Sequence, residues 1–223
     1  MNTDSKTIMS DIVYEHLKNM ILSLEIKPGE RIPEAKIASH FGISRTPIRE
    51  AIKRLANDGI VNVYPKRYAE VASYNEDWIK ETGLIRISLD IIAAKLAVFH
   101  GSNYDFAVME QYMEACNKAA RDGDRVERIK TNCAFHLELS RISKNKELLE
   151  IEERLYLKLE FMQACNYPFV ETIENQYQQH LDIVKALYER DSEKLIKLIT
   201  HHEKHFHMLD DHDFSVIQHI KNL

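Results

Sequence analysis

Glycine and proline are scarce and unevenly placed in this chain: of 6 glycines and 5 prolines, seven fall in residues 1–65, and only Gly83, Gly101, Gly123 and Pro168 interrupt the rest of the 223 residues. Glycine admits positive φ and proline breaks helices and ladders, so together they mark where a chain must turn. A turn-rich small module followed by long, rarely interrupted helices is therefore expected. The stretch ASYNE at residues 72–76 separates them, giving one domain over 1–73 and a second over 74–223. The composition, 44% apolar and 29% charged, supplies a sizeable core and argues against disorder. Cys116, Cys133 and Cys165 stand far apart without a C-x-x-C, which fits buried small hydrophobes in a reducing compartment rather than a disulfide framework. The opening MNTDSKTIMS lacks the apolar stretch of a signal peptide, and no run approaches the ~20 apolar residues that span a bilayer. A cytoplasmic protein with no membrane partner is expected.

Within the first module, Ile8, Ile12, Val13, Leu17, Met20, Ile21 and Leu24 recur at three- to five-residue steps, the period of an amphipathic helix. Pro28-Gly29 breaks it. A short helix carries Ile37, Ala38 and Phe41, and Gly42 suits the left-handed turn that closes it. Ser44 is placed as an N-cap and Pro47 in the first turn of the next helix, whose apolar stripe is Ile48, Ala51, Ile52 and Leu55. That stripe leaves Arg45 and Arg49 together on another face. After Gly59, Val61 and Val63 alternate, Pro65-Lys66-Arg67 turns, and Ala69 and Val71 alternate again, which predicts a hairpin.

Helix, short helix, turn, helix and hairpin is the order of a winged helix-turn-helix, in which the second helix of the pair reads base edges in the major groove. The charge is placed accordingly. The chain is −5 overall, yet residues 41–67 carry Arg45, Arg49, Lys53, Arg54, Lys66 and Arg67 against only Glu50 and Asp58. Arginine can donate two bonds to guanine, and Lys66 and Arg67 at a hairpin tip can reach phosphate or the minor groove. The competing reading makes Arg45 and Arg49 a solvated helix face. Residues 28–63, PGERIPEAKIASHFGISRTPIREAIKRLANDGIVNV, resemble the DNA-binding domain of GntR-family bacterial regulators. The resemblance implies that Arg45, Thr46 and Arg49 face double-stranded DNA, with Ser44 and Pro47 shaping the helix start. Where the family usually has Arg-Gly in the wing, this chain has Arg67-Tyr68, so the wing path cannot depend on glycine there.

From Trp78 onward the periodicity predicts helices over roughly 75–100, 104–122, 124–143, 145–166, 170–190 and 192–209, with a tail to 222, joined by short connections as in an antiparallel all-α bundle. The fold class is thus mainly α. Nine of the 11 histidines lie in this module. Asn132 and His136, four apart, share one helix face. His180 and His202, 22 apart across a turn at Asp191, can reach the same height on antiparallel helices. Three imidazoles and an amide oxygen converging in a bundle suit a divalent transition metal; singly, each histidine would read as a surface or satisfied core residue, and HHEKHFH at 201–207 as a polar face.

Residues 78–209 resemble the FCD effector domain of the FadR-like subfamily. RISLD at 86–90 resembles its opening arginine/acid pattern, NCAFHLELSRISKN at 132–145 its metal-binding helix, and QQHLDIVKALYERDSEKLIKLITHH at 178–202 its last two ligand helices. The resemblance implies metal ligands Asn132, His136, His180 and His202, with His201 or His205 replacing His202 if the register slips. Many members have Asp at the first position, so Asn132 makes a less charged site. The resemblance also implies that Arg86 helps hold a carboxylate effector; otherwise Arg86 would form a surface i, i+4 ion pair with Asp90.

The expected protein is a homodimeric transcription regulator that reads a short inverted repeat in DNA. Zinc is the expected metal, with nickel or manganese as alternatives, and the effector is a small organic acid such as citrate or another di-, tri- or hydroxycarboxylate. Three rivals stand beside it: a sensor in which the metal is the signal, a metal-dependent hydrolytic enzyme, and a regulator of acyl-CoA type, which would need no histidines.

Overall fold

The structure is a computed structural model that describes residues 3–166, 172–210, 212, 213 and 215, the side chains of residues 3–7, 166 and 205 excepted. Its elements run α1 (Thr3–Leu22), α2 (Glu34–Phe41), α3 (Arg45–Asn57), β1 (Val61–Tyr64), β2 (Tyr68–Val71), α4 (Glu76–His100), α5 (Asn103–Asp122), α6 (Arg125–Ile142), α7 (Lys146–Asn166), α8 (Ile173–Glu189) and α9 (Ser192–Phe206). By packing, the chain forms two compact units: Met1–Ser73 with Gln163–Cys165, and Tyr74–Met162 with Asn166–Leu223.

In the first unit, α3 packs against α1, α2 and β1. Its apolar stripe of Ile48, Ala51, Ile52 and Leu55 is buried, as are Val13, Leu17 and Ile21 of α1 and Ile37 of α2. Ile8 and Ile12, on the predicted stripe of α1, are exposed instead. Gly42 closes α2 at φ 62°, the left-handed conformation that the sequence assigned to it. Ser44 occupies the N-cap position of α3 with extended backbone but makes no side-chain capping bond. β1 and β2 pair antiparallel with Val61 opposite Val71 and Tyr64 opposite Tyr68. The residues before α2 lie along the other side of β2, where Gly29 N–H donates to Val71 O and Ile32 N–H to Ala69 O.

The second unit is helical. α5 packs on α6 and α8, α4 on α6 and α9, and α8 on α9. Each start has a local cause. Asn75 accepts from Trp78 N–H before α4, Ser102 and Asp105 form a reciprocal capping box on α5, and Asp124 and Thr172 cap α6 and α8. The core is Ile87, Ile91, Ala94 and Ala97 of α4 with Phe106 and Met109 of α5, Phe135 and Leu139 of α6, Ile183 and Leu187 of α8, and Leu195 and Ile199 of α9. The predicted helix from 170 begins at Ile173, and the predicted tail to 222 falls largely outside the described residues. Gly83 is a close approach rather than a hinge: a Cβ there would sit 2.4 Å from the Cβ of His207.

Candidate DNA-reading face and candidate metal centre

The first unit leaves its cations outside because the apolar faces of α3 and the hairpin are already spent on the core. Arg45, Thr46, Arg49 and Lys53 of α3 are exposed, as are Lys66 and Arg67 between the strands. Arg49, Lys53, Lys66 and Arg67 line one cleft of about 340 Å³ between α3 and the hairpin, together with Glu34, Tyr64 and Tyr68. Arg49 Nε donates to Glu34 Oε2 at 3.1 Å, which aims the guanidinium while leaving its outer nitrogens for another acceptor. Arg54 is different: it pairs with Asp11 and lies 4.4 Å over the Tyr14 ring, so it belongs to the α1–α3 packing and not to the cationic stripe in which the sequence placed it.

The wing turns without glycine. Arg67 N–H donates to Tyr64 O at 3.0 Å, and the positive φ of 59° falls on Lys66, one residue after Pro65. Tyr68 is then free to sit in β2, its ring 4.7 Å from that of Tyr64 and covered by the Arg31 guanidinium at 3.9 Å. A tyrosine at that position is therefore accommodated, because the left-handed residue comes earlier in the turn.

In the second unit, α6, α8 and α9 bring three imidazoles together. His136, His180 and His202 hold ligand nitrogens within 4.8 Å of one another. His202 Nε2 lies 3.2 Å from His136 Nε2 and 3.3 Å from His180 Nε2. Gln179 Oε1 accepts from His202 Nδ1–H, so the lone pair of His202 is on Nε2 and faces the other two rings. Burial holds His136 and His180 well below the usual histidine range and keeps both rings neutral, with the positive charge of Arg86 and the neighbouring histidines acting in the same direction. Phe135 stacks on His180 at 4.1 Å and fixes its plane. Metal–nitrogen bonds of ~2.0–2.1 Å at angles between octahedral and tetrahedral separate ligand nitrogens by ~2.9–3.4 Å. The two separations from His202 fall in that range and the three ligand nitrogens lie within 4.8 Å of one another, and neutral imidazoles with convergent nitrogens are the donor set that a divalent transition metal takes.

Asn132 lies one turn before His136 and is buried, with Oδ1 accepting from Gln176 Nε2 at 3.1 Å. Gln176 Oε1 in turn accepts from Arg128 Nη2 at 2.7 Å. Asn132 is thus on the expected face, with its carbonyl oxygen engaged by α8. His201 is exposed, so the register places His202 in the cluster, and the side chain of His205 lies outside the described residues. Asn117, Gln176, Tyr177 and His180 border a small recess.

Arg86 departs from the alternative reading of a surface ion pair. It is 2% exposed, so its pairing with Asp90, at 3.5 Å from Nε to Oδ2, is buried rather than on the surface. Its Nη1 donates to Glu203 Oε2 at 2.5 Å, and Nη2 has no hydrogen-bond partner among the described residues. Glu203, also buried, follows His202 directly; burial pushes its carboxyl up most strongly, but the Arg86 charge together with His207 and His202 more than offsets burial and holds the carboxyl below its usual range. Asp90 and Glu152 complete this polar core. Burial pushes Asp90 well up, and raises Glu152 to about 7, although Ser140 Oγ–H donates to Glu152. His207 donates from Nδ1 to Ile79 O at 3.2 Å and turns Nε2 toward Arg86 Nη1 at 3.4 Å, the packing for which Gly83 makes room. HHEKHFH is therefore no simple polar face, since Glu203 and His207 are buried.

Two family models match the two halves of this architecture. The family described as bacterial regulatory proteins, gntR family, matches residues 9–71, and the FCD domain matches residues 81–205. The HTH-type transcriptional regulator YdhC of Bacillus subtilis is 30% identical over 193 residues, covering 86% of each chain. The Nta operon transcriptional regulator of Aminobacter aminovorans is 26% identical, covering 84% of this chain and 88% of its own. Among solved structures, E. coli McbR/YncC superposes with a TM-score of 0.74 at 23% identity over 95% of this chain and 97% of its own, which supports the fold. Among the described residues, no helix is long and apolar enough to cross a membrane.

Proposed function

The chain belongs to the gntR family of bacterial regulatory proteins and carries an FCD domain, and from that premise we propose that it is a homodimeric, acid-responsive transcription regulator of the cytoplasm whose effector binds at a metal ion. Arg45, Thr46 and Arg49, with Ser44 at the helix start, read base edges of a short inverted repeat, and Lys66 and Arg67 grip its backbone. His136, His180 and His202, with Asn132 beside them, hold a divalent transition metal, zinc in first place and nickel or manganese otherwise. The observation that carries this reading is the convergence of three imidazole nitrogens, one of them fixed by Gln179 with its lone pair inward.

When bound, the metal supplies a positive centre that neutral ligands leave uncompensated. The adjacent carboxylate of Glu203 is paired with Arg86. An anionic oxygen is therefore favoured at the remaining coordination positions, which points to citrate or another di-, tri- or hydroxycarboxylate. Arg86 has Nη2 left to offer a second carboxylate, a single donor rather than the two-pronged fork of a free guanidinium. The acid acts by favouring one of two states that bind DNA differently, since a ligand shifts only an equilibrium between states it binds unequally.

A second copy has a surface to use. α4 exposes Ile85, Ile92 and Phe99 at seven-residue spacing. Glu81 and Lys95 flank that seam, so a two-fold axis near Ser88 sets each opposite the other in the partner. Native mass spectrometry of the full chain tests the whole reading: a dimer carrying one metal and one small acid per protomer is expected. A monomer, or a dimer that stays metal-free after incubation with zinc, contradicts it. A metal-loaded dimer that takes up no acid from the carboxylate panel would favour the metal as the signal.

A further inference from the structure

The proposed metal centre has a carboxylate behind it that neither the spacing of the ligands nor the family comparison assigns. We propose that Glu203 is the positioning residue of that centre, accepting the Nδ1–H of His136 so that the Nε2 lone pair faces the metal, and tying the centre to α4 through Arg86. The proposal rests on the metal reading above.

Among the described residues Glu203 Oε1 is buried without a hydrogen-bond partner, 3.5 Å from His136 Nδ1 and 3.9 Å from His202 Nε2. His202 Nε2 cannot serve it, because the proton of that ring is on Nδ1 and committed to Gln179. A neutral His136 has one N–H to place. On Nε2 the proton points at His202 Nε2, 3.2 Å away, and occupies the position a metal needs. On Nδ1 it points at the orphaned Glu203 oxygen. The 3.5 Å separation is just beyond a formed bond, so a shift of ~0.5 Å completes it. A buried acceptor without a donor is costly, and the Nδ1 tautomer relieves that cost before any metal arrives. The other oxygen is held by Arg86 Nη1 at 2.5 Å, which leaves the carboxylate little freedom to turn. A carboxylate behind a ligand histidine fixes its tautomer and raises its donor strength, and losing one typically weakens metal binding 10- to 100-fold.

Zinc affinity of the full chain, measured by competition with a chromogenic chelator, tests the proposal together with circular dichroism of the metal-free proteins. Glu203→Gln is expected to weaken zinc roughly 10-fold and Glu203→Ala up to ~100-fold, with helical content unchanged. Should either variant fail to fold because Arg86 is left unpaired, the wild-type protein decides. Long-range ¹⁵N–¹H spectra of the histidine rings are expected to show His136 protonated at Nδ1 both without metal and with one equivalent of zinc, a signature that a purely structural ion pair would not produce. Unchanged zinc affinity in Glu203→Gln alongside loss in His180→Ala, or a metal-free His136 protonated at Nε2, overturns the role of Glu203 and leaves the centre standing. A wild-type chain that takes up no zinc overturns the centre itself, and Glu203 with it.

Discussion

In the N-terminal unit Arg45, Thr46, Arg49, Lys66 and Arg67 all stand in solvent, whereas in the helical unit Arg86, Asp90, Asn132, His136, Glu152, His180 and Glu203 are all buried. The first set acts on something outside the fold, so each residue can be removed without disturbing the others. The second set is mutually dependent: Glu203 answers Arg86, Arg86 answers Asp90 and His207, and Gln179 sets the tautomer of His202. Distant exposed sites add, while members of one buried network do not. Substitution should therefore give separable losses of DNA affinity in one unit and coupled losses of stability and ligand binding in the other.

The largest expected effect is on the metal. His136→Ala and His180→Ala should each abolish stoichiometric zinc in the purified protein while circular dichroism stays helical, because the apolar core formed by residues such as Ile87, Phe106 and Leu187 lies outside the cluster. Elemental analysis decides this, and full metal in both variants would remove the site. Next comes Arg86→Ala, which strands the buried Glu203 carboxylate and should lower unfolding free energy by ~3–5 kcal/mol in a denaturant titration. By contrast, Arg45→Ala should move stability by less than ~0.5 kcal/mol. Similar losses in both would erase the distinction between the units.

A smaller effect separates the units by pH. Burial raises the Glu152 carboxyl from its ordinary value to about 7, so the unfolded chain gives up this proton at lower pH than the folded one. The folded state then loses stability as pH rises from the unfolded value toward about 7 and levels off above it. Glu152→Gln cannot ionise and should flatten that part of the stability curve; an unchanged pH dependence would mean that Glu152 is ionised throughout.

On the DNA side, Arg45→Ala should cost ~1–3 kcal/mol of operator affinity and relax preference at one base pair. Binding of matched and altered sites at one salt concentration separates those effects. Lys66→Asn keeps a residue that tolerates the positive φ of the wing and removes only charge, so all DNA should weaken alike, with a salt slope smaller by about 1. Base-selective loss in Lys66→Asn would give the wing a reading role.

The sequence revealed what local punctuation and helical period encode. Pro28-Gly29, Gly42 and Pro65 marked the turns of the first unit, and the i, i+4 pair on α6 with the 22-residue step from His180 to His202 placed the histidines together. It missed what depends on long-range partners. Arg54 looked like its neighbours in the cationic stripe because Asp11, 43 residues away, claims it only in the fold. The alternative reading of Arg86 as a surface ion pair with Asp90 fails because Glu203 and His207, which bury it, come more than a hundred residues later. Glu203 was hidden inside HHEKHFH, where one acid among histidines reads as a solvated face. Gly83 gave no sign that His207 needs its missing Cβ.

Calorimetric titration of citrate into the full chain, once loaded with one equivalent of zinc and once after chelation, tests most directly the claim that an acid is sensed through a metal. Saturable binding to the loaded protein that disappears on chelation is the predicted result. Equal binding with and without metal would contradict it, and would separate the acid from the cluster of His136, His180 and His202.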